Sequence, residues 1–196
     1  MNISDVLKRS RLIGSTMLGT VTKTGKFHLH SFQRNMIMDG AAECIANMML
    51  GRPQYKPAAI CFEYVNLADP GDLPSPPFFN KSEGVEYFTG LQYSADTDFL
   101  RVPVVATPNV VVNELGNYVT TFYAVTPGDV IGFWGKPFTA AANSAVYGGA
   151  LVASPIPDSQ PNDIVIARNY PAGAKVLKPT GEQICIIWSI EITLPE

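Results

Sequence analysis

The stretch Ile184-Cys185-Ile186-Ile187-Trp188-Ser189-Ile190-Glu191-Ile192-Thr193-Leu194 decides the fold class. Ile184, Ile186, Trp188, Ile190, Ile192 and Leu194 share one parity, and Cys185, Ile187, Ser189, Glu191 and Thr193 share the other. A period of two held this long belongs to a β-strand, whose successive side chains leave on opposite faces. The first parity is wholly apolar and is the expected core face. The second turns polar only toward its end, which predicts a central strand covered on both sides for part of its length.

Neighbours for such a strand lie throughout the second half of the chain. Leu100–Ala106, Val110–Asn113, Tyr118–Val125, Val130–Phe133, Ala145–Val152 and Ile164–Ala167 all read as short strands. Thr107-Pro108-Asn109, Leu115-Gly116-Asn117, Pro127-Gly128-Asp129 and Pro171-Ala172-Gly173 punctuate them as turns. Short strands at this spacing predict a mainly β chain, a β-sandwich or a jelly-roll-like body. Gly148-Gly149 inside one candidate strand predicts a bulge or a close packing contact.

Upstream, Phe27 to Phe32 alternates as a half-buried strand after the turn signal Lys23-Thr24-Gly25-Lys26, and Ala58 to Val65 reads as a buried strand. Between them lies one helix, expected over 37–50: Ile37, Ala41, Cys44, Ile45, Met48 and Met49 recur at helical spacing. Asn35 or Asp39 is the expected N-cap, and Gly51 with Pro53 the stop. Met36, Met38, Met48 and Met49 are expected to fill core gaps. The pattern then dissolves over 66–99, which carries Pro70, Pro74, Pro76 and Pro77 among Phe78, Phe79, Tyr87, Phe88 and Tyr93. Disordered linkers are poor in aromatics, so this stretch is expected to be an interface loop.

Composition agrees with a packed β domain. Of 196 residues, 46% are apolar and 16% charged, unlike a disordered chain, while 16 Gly and 16 Pro imply more turns than a helical bundle tolerates. The length suits one domain of 27–196 preceded by an arm of 1–26. Residues 1–34 carry Lys8, Arg9, Arg11, Lys23, Lys26 and Arg34 against Asp5, a net of +5 that leaves −8 for the rest of a chain whose formal charge is −3. The expectation is an extended basic N-terminal arm on an acidic body, suited to an acidic neighbour. Met1 to Gly19 lacks the apolar run of a cleaved signal, and no later stretch is long enough to span a bilayer, so neither export by a cleaved signal nor a membrane partner is expected. Cys44, Cys61 and Cys185 are odd in number and far apart, which predicts buried free thiols and assembly in a reducing cytoplasm.

Residues equipped for chemistry are few. His28 and His30 are the two histidines, and their spacing on a strand puts both imidazoles on one face, about 7 Å apart. A metal needs a third ligand and none stands at a recognisable spacing, so both are read as surface or interface histidines. Asp96-Thr97-Asp98 reads as a solvated turn. No nucleophile elbow, phosphate cradle, dinucleotide fingerprint, zinc-protease helix or calcium loop occurs. Catalytic, cofactor and metal residues are therefore none, and the chain is expected not to be an enzyme. A sequence pI near 5.4 argues against direct binding of nucleic acid by the body. Trp134 with the loop aromatics offers an alternative of another class, a glycan-binding receptor module, whereas Trp188 fits the core face.

Two regions carry a resemblance. One joins Gly25-Lys26, Arg34-Asn35-Met36-Ile37-Met38-Asp39-Gly40 and Ile45-Ala46-Asn47-Met48-Met49-Leu50-Gly51. The other runs from Val146-Tyr147-Gly148-Gly149-Ala150-Leu151-Val152-Ala153 through Ile166-Ala167-Arg168 and Lys175 to Ile186-Ile187-Trp188-Ser189-Ile190. Together they are similar to the helix entry and the ending of small virion proteins of tailed bacteriophages, the group of capsid decoration or cement proteins and of tail and neck proteins. The short acidic motif expected before the glycine in the second region is replaced by Ser144-Ala145-Val146-Tyr147. The resemblance implies a β-sandwich subunit that forms a homo-oligomer, with a trimer favoured, and docks on the major capsid protein or other virion proteins. Its expected place is the virion, after assembly in the host bacterial cytoplasm. On this reading Lys8, Arg9 and Arg11 of the arm and Phe78, Phe79, Tyr87 and Phe88 of the loop are the expected interface residues, and a tail, neck or baseplate component is the alternative role.

Overall fold

A computed structural model of the chain describes residues 11–66, 79–82, 85–88, 97–106, 110–125, 144–156, 163–169, 176–177 and 183–193. These are almost entirely β, with one helix. The strands are β1 (Arg11–Val21), β2 (Phe27–Ile37), β3 (Pro57–Asn66), β4 (Phe79–Ser82), β5 (Val85–Phe88), β6 (Thr97–Pro103), β7 (Val105–Ala106), β8 (Val111–Val112), β9 (Tyr118–Val125), β10 (Ser144–Ala153), β11 (Asp163–Asn169), β12 (Val176–Leu177) and β13 (Gln183–Thr193). The helix α1 (Asp39–Met49) and a 3-10 turn (Pro53–Tyr55) lie between β2 and β3.

All the pairings are antiparallel, in the order β6-β3-β10-β11-β2-β1-β13-β9-β7, with β12 on β10, β5 on β11, β4 on β5 and β8 on β9. The sheet is open but curled, so that β3 and β6 from one end come against β9 near the other. Its two edges belong to one piece of chain. After Pro103 ends β6, Val104 donates its N–H to the Ala58 carbonyl oxygen at 3.0 Å, and Val105 then begins β7 on the opposite edge. Proline has no N–H to donate to a ladder, and the chain changes edges within two residues of it.

The core fills the inside of the curl. Trp188, Ile186 and Ile184 of β13 meet Leu18 of β1, Phe122 and Ala124 of β9, Ile60 and Phe62 of β3, Leu151 of β10 and Ile164 and Ile166 of β11. A smaller buried cluster, Met38, Ala59, Cys61, Ala150, Val152 and Val165, lies on the opposite parity of β3, β10 and β11. Those three strands are thus buried on both faces, which explains their unbroken apolar runs. Tight spacing needs the glycine at 149: an added Cβ there would stand 2.9 Å from the Cys61 carbonyl oxygen and 3.1 Å from the Ile186 side chain. The register shift between Val146 and Gly148 is the bulge expected of the glycine pair.

The expected helix is present but shorter, and its cap differs. Met38 is the N-cap, with no side-chain cap bond, and its N–H donates to the Ile166 carbonyl oxygen at 3.0 Å. The Ala41 N–H donates to the Met38 carbonyl oxygen at 2.9 Å, so a backbone bond serves one of the first-turn donors in place of a capping side chain, and Asn35 lies in β2 instead. Gly40, Ala41 and Cys44 form the buried face, small enough for the helix to sit close against β11. Of the methionines expected in the core only Met38 is buried; Met36, Met48 and Met49 are exposed.

The N-terminal expectation needs correction. Residues 11–21, expected within an extended arm of 1–26, form β1, paired along its length with β13 on one side and over most of it with β2 on the other. Arg11, Lys23, Lys26 and Arg34, four of the basic residues that suggested an arm, belong to the β1–β2 hairpin or its turn. Residues 1–10 lie outside the described residues. The expected loop 66–99 likewise contains β4 and β5, and its last residues open β6. The expected strand Val130–Phe133 lies outside the described residues.

Candidate functional site

The part of the sheet formed by β2, β1, β13 and β9 has two unlike faces. Its inner face supplies Leu18, Phe122, Ala124, Ile184, Ile186 and Trp188 to the core. Its outer residues form cross-strand rows fixed by register. Phe32, Met17, Ile187, Tyr123 and Val105 stand in one row across β2, β1, β13, β9 and β7. Arg34, Ser15, Ser189 and Thr121 form the next, with the Thr121 and Ser189 hydroxyls 3.2 Å apart. Ile13, Glu191, Val119 and Val111 form a third. Phe32 is 63% exposed, Met36 65% and Val111 59%, values far above those of side chains that a finished core would hold.

Directly opposed residues in antiparallel strands are neighbours, so each row is a continuous strip of side chains. β1 and β13 pair from Arg11↔Thr193 to Val21↔Gln183. At roughly 3.3 Å per residue and 4.8 Å between strands, the four-strand face presents roughly 700 Å². A standard interface takes about 800 Å² from each partner. Arg34 projects between Phe32 and Met36, which gives the strip one basic group amid apolar surface. At its far end Glu191 is held by the β8–β9 turn: its Oε1 accepts from Asn113 Nδ2 at 2.9 Å and Asn117 Nδ2 at 2.6 Å.

The inner face of the same strands is held by polar latches as well as packing. The Asn35 side chain lies over Gly14, its oxygen accepting from the Trp188 indole N–H and its nitrogen donating to the Gly14 carbonyl oxygen at 3.0 Å. Trp188 is fully buried, so its N–H needs such a partner. This arrangement explains Asn35 and Gly14 together: the glycine leaves the space the amide fills.

The residues singled out from sequence are dispersed. His28 pairs with Thr20 in register, and His30 is the extra residue of a bulge, its Nε2 3.0 Å from Thr20 Oγ1. Both histidines are exposed, and among the described residues no group of three His, Cys, Asp or Glu side chains is placed to hold a metal. Thr97 and Asp98, expected in a solvated turn, begin β6 opposite Val65 and Tyr64; Asp96 lies outside the described residues. Of the expected interface residues, Lys8, Arg9 and Phe78 lie outside the described residues. Arg11 opens β1 opposite Thr193. Phe79, Tyr87 and Phe88 come together in the β4–β5 hairpin, with Phe79 opposite Phe88 and with Tyr87 and Phe88 opposite Ile164 and Asp163 of β11. Trp134 lies outside the described residues, and Trp188 is in the core as its parity demanded.

Cys44, Cys61 and Cys185 are all buried and none is in a disulfide. Burial pushes the Cys44 thiol up to about 12, with the Glu43 charge adding to the effect, and pushes Cys185 up to about 11. Neither carries the thiolate that nucleophilic chemistry requires at neutral pH. No helix among the described residues is long and apolar enough to cross a membrane, which leaves open a crossing by strands. Comparison with protein-family models, curated proteins and solved structures finds no match.

Proposed function

We propose that this chain is a structural subunit of a bacteriophage virion, a capsid decoration or cement protein that docks through the outer face of the β2-β1-β13-β9 layer. The observation that carries the reading is the apolar outer row, Phe32, Met17, Ile187, Tyr123 and Val105, on strands whose other face already supplies a core. A partly exposed apolar row bordered on one side by the polar row of Arg34, Ser15, Ser189 and Thr121 is what association surfaces present. Arg34, beside the row on β2, suits an acidic partner, and the two segments that resemble phage virion proteins point to the major capsid protein as that partner. On the finer fold, we read the curled sheet as a β-sandwich whose two layers share β2, in the manner of a jelly-roll-like body. The subunit is proposed to act as a homotrimer in the virion, having assembled in the bacterial cytoplasm. Residues 1–10 with Lys8 and Arg9, together with the β4–β5 hairpin, supply further contacts.

Location on the particle tests this. Labelled protein is expected at many positions over the shell. Labelling confined to the tail or neck would assign the alternative virion role. Absence from the particle, with glycan binding that is lost in Trp134→Ala, would replace the reading with a receptor module.

A further inference from the structure

Beside α1, at the mouth of the curl, is a half-open cavity of about 270 Å³. Its described walls come from α1 and from six strands, with Leu12 of β1, Ala41, Cys44 and Met48 of α1, and Ile190 and Ile192 of β13 facing one another across it. Among the described residues of this lining the Thr120 hydroxyl is the one side-chain oxygen or nitrogen group, and none of them is charged. Met48 and Ile192 are the exposed members of this lining, at 38% and 41%, so the described part of it that meets solvent is also apolar.

Water gains little in such a space, because it needs several polar partners and the described lining offers one hydroxyl. An apolar cavity of about 150 Å³ already binds benzene in another protein. This one is close to twice that size and open at one end. We propose that it binds the hydrocarbon chain of a single uncharged amphiphile, such as a medium-length fatty alcohol, with the chain packed between α1 and β13 and the polar end at the mouth. The chemistry of the walls sets the class: a charged group in the lining region would be desolvated with nothing to compensate it, whereas each buried methylene adds apolar contact. The inference is independent of the docking role proposed for the outer sheet face, because inner-parity residues line the cavity and outer-parity residues form the row.

The test is a chain-length series of straight alcohols from hexanol to tetradecanol, titrated into the full chain labelled at isoleucine and methionine methyl groups and followed by NMR. Saturable shifts are expected at Ile45, Met48, Ile166 and Ile190, with the core methyls of Ile184 and Ile60 unmoved. Affinity should rise about fourfold per methylene, then stop rising once the cavity is full. Ala41→Leu, which places a side chain into the cavity, should weaken the best alcohol at least tenfold. If that variant does not fold, Ile190→Ala provides the second reading, because a larger cavity should move the cut-off to a longer alcohol. Absence of saturable shifts would overturn the proposal, as would affinity that climbs without a cut-off through tetradecanol. Failure of the native chain to bind any alcohol, combined with loss of virion binding in Ala41→Leu, would assign the cavity to a partner's side chain and equally overturn it.

Discussion

Ile187 and Trp188 are consecutive residues of β13 that leave it on opposite sides, and the two cross-strand rows they belong to differ in kind. The inner row joins Thr16, Trp188 and Phe122, all buried. The outer row joins Met17, Ile187 and Tyr123, none of them buried, and ends at Phe32 and Val105, which are exposed. The strands are the same and so is the backbone. The difference teaches that neighbouring residues of one strand serve different ends: the row through Trp188 is closed in the core, whereas the row through Ile187 is only partly covered.

The comparison predicts a graded set of effects. Trp188→Ala should cost the most, about 3–5 kcal/mol for removing a fully buried aromatic, measured by urea unfolding. Gly149→Val should cost about 1–3 kcal/mol by overpacking, because the Cys61 carbonyl and Ile186 already occupy the space a side chain needs. Asn35→Ala should cost a similar or smaller amount, about 1–3 kcal/mol, because it leaves the buried Trp188 N–H without its acceptor. On the outer row, Phe32→Glu should stay within about 0.5 kcal/mol of the native chain in stability while weakening association sharply. A loss of stability in Phe32→Glu comparable with that of Trp188→Ala would break the distinction between the faces.

A smaller effect concerns pH. Burial raises the thiols of Cys44 and Cys185 from 9.0 to about 12 and about 11. Above pH 9 the unfolded chain releases protons that the folded chain retains, so the unfolded state is favoured as pH rises. Stability should therefore fall gradually between pH 9 and pH 12. Cys44→Ala should flatten part of that decline even though it creates a small cavity. A decline unchanged in both Cys44→Ala and Cys185→Ala would show that other groups produce it.

The inner face was legible in the sequence because long apolar residues marked it. Ile184, Ile186 and Trp188 stand in clean alternation, and the structure buries all three. β9 has the same bounds as its expected strand, and β3, β10 and β11 differ from theirs only at their ends. β1 was hidden for a physical reason: its inner parity is Leu12, Gly14, Thr16, Leu18 and Thr20, where small and hydroxyl residues make room for Asn35 and for the His30 contact. Those partners are on β2, and nothing within residues 11–21 announces them. Lys8, Arg9 and Arg11 then drew attention to charge instead of alternation. The β4 and β5 strands are four residues each, too short for a period to stand out among prolines.

The outer row was still harder to read. Phe32, Met17, Ile187, Tyr123 and Val105 come from five strands, and only pairing register aligns them. The aromatic residues of 66–99 stood out as an interface because they were clustered along the chain, whereas the row on the sheet is clustered only in space. Sequence proximity makes a cluster such as that of 66–99 visible and leaves unseen one that forms only across strands.

Binding of purified native chain, Phe32→Glu with Tyr123→Glu, and Leu115→Glu to virion particles that lack the protein tests the central claim most directly. Leu115 is 81% exposed but lies in the turn after β8, away from the row, so it controls for loss of exposed apolar surface alone. The account predicts full occupancy for the native chain and Leu115→Glu, and little for the double variant, with all three equally stable. Equal occupancy by the folded double variant would contradict it.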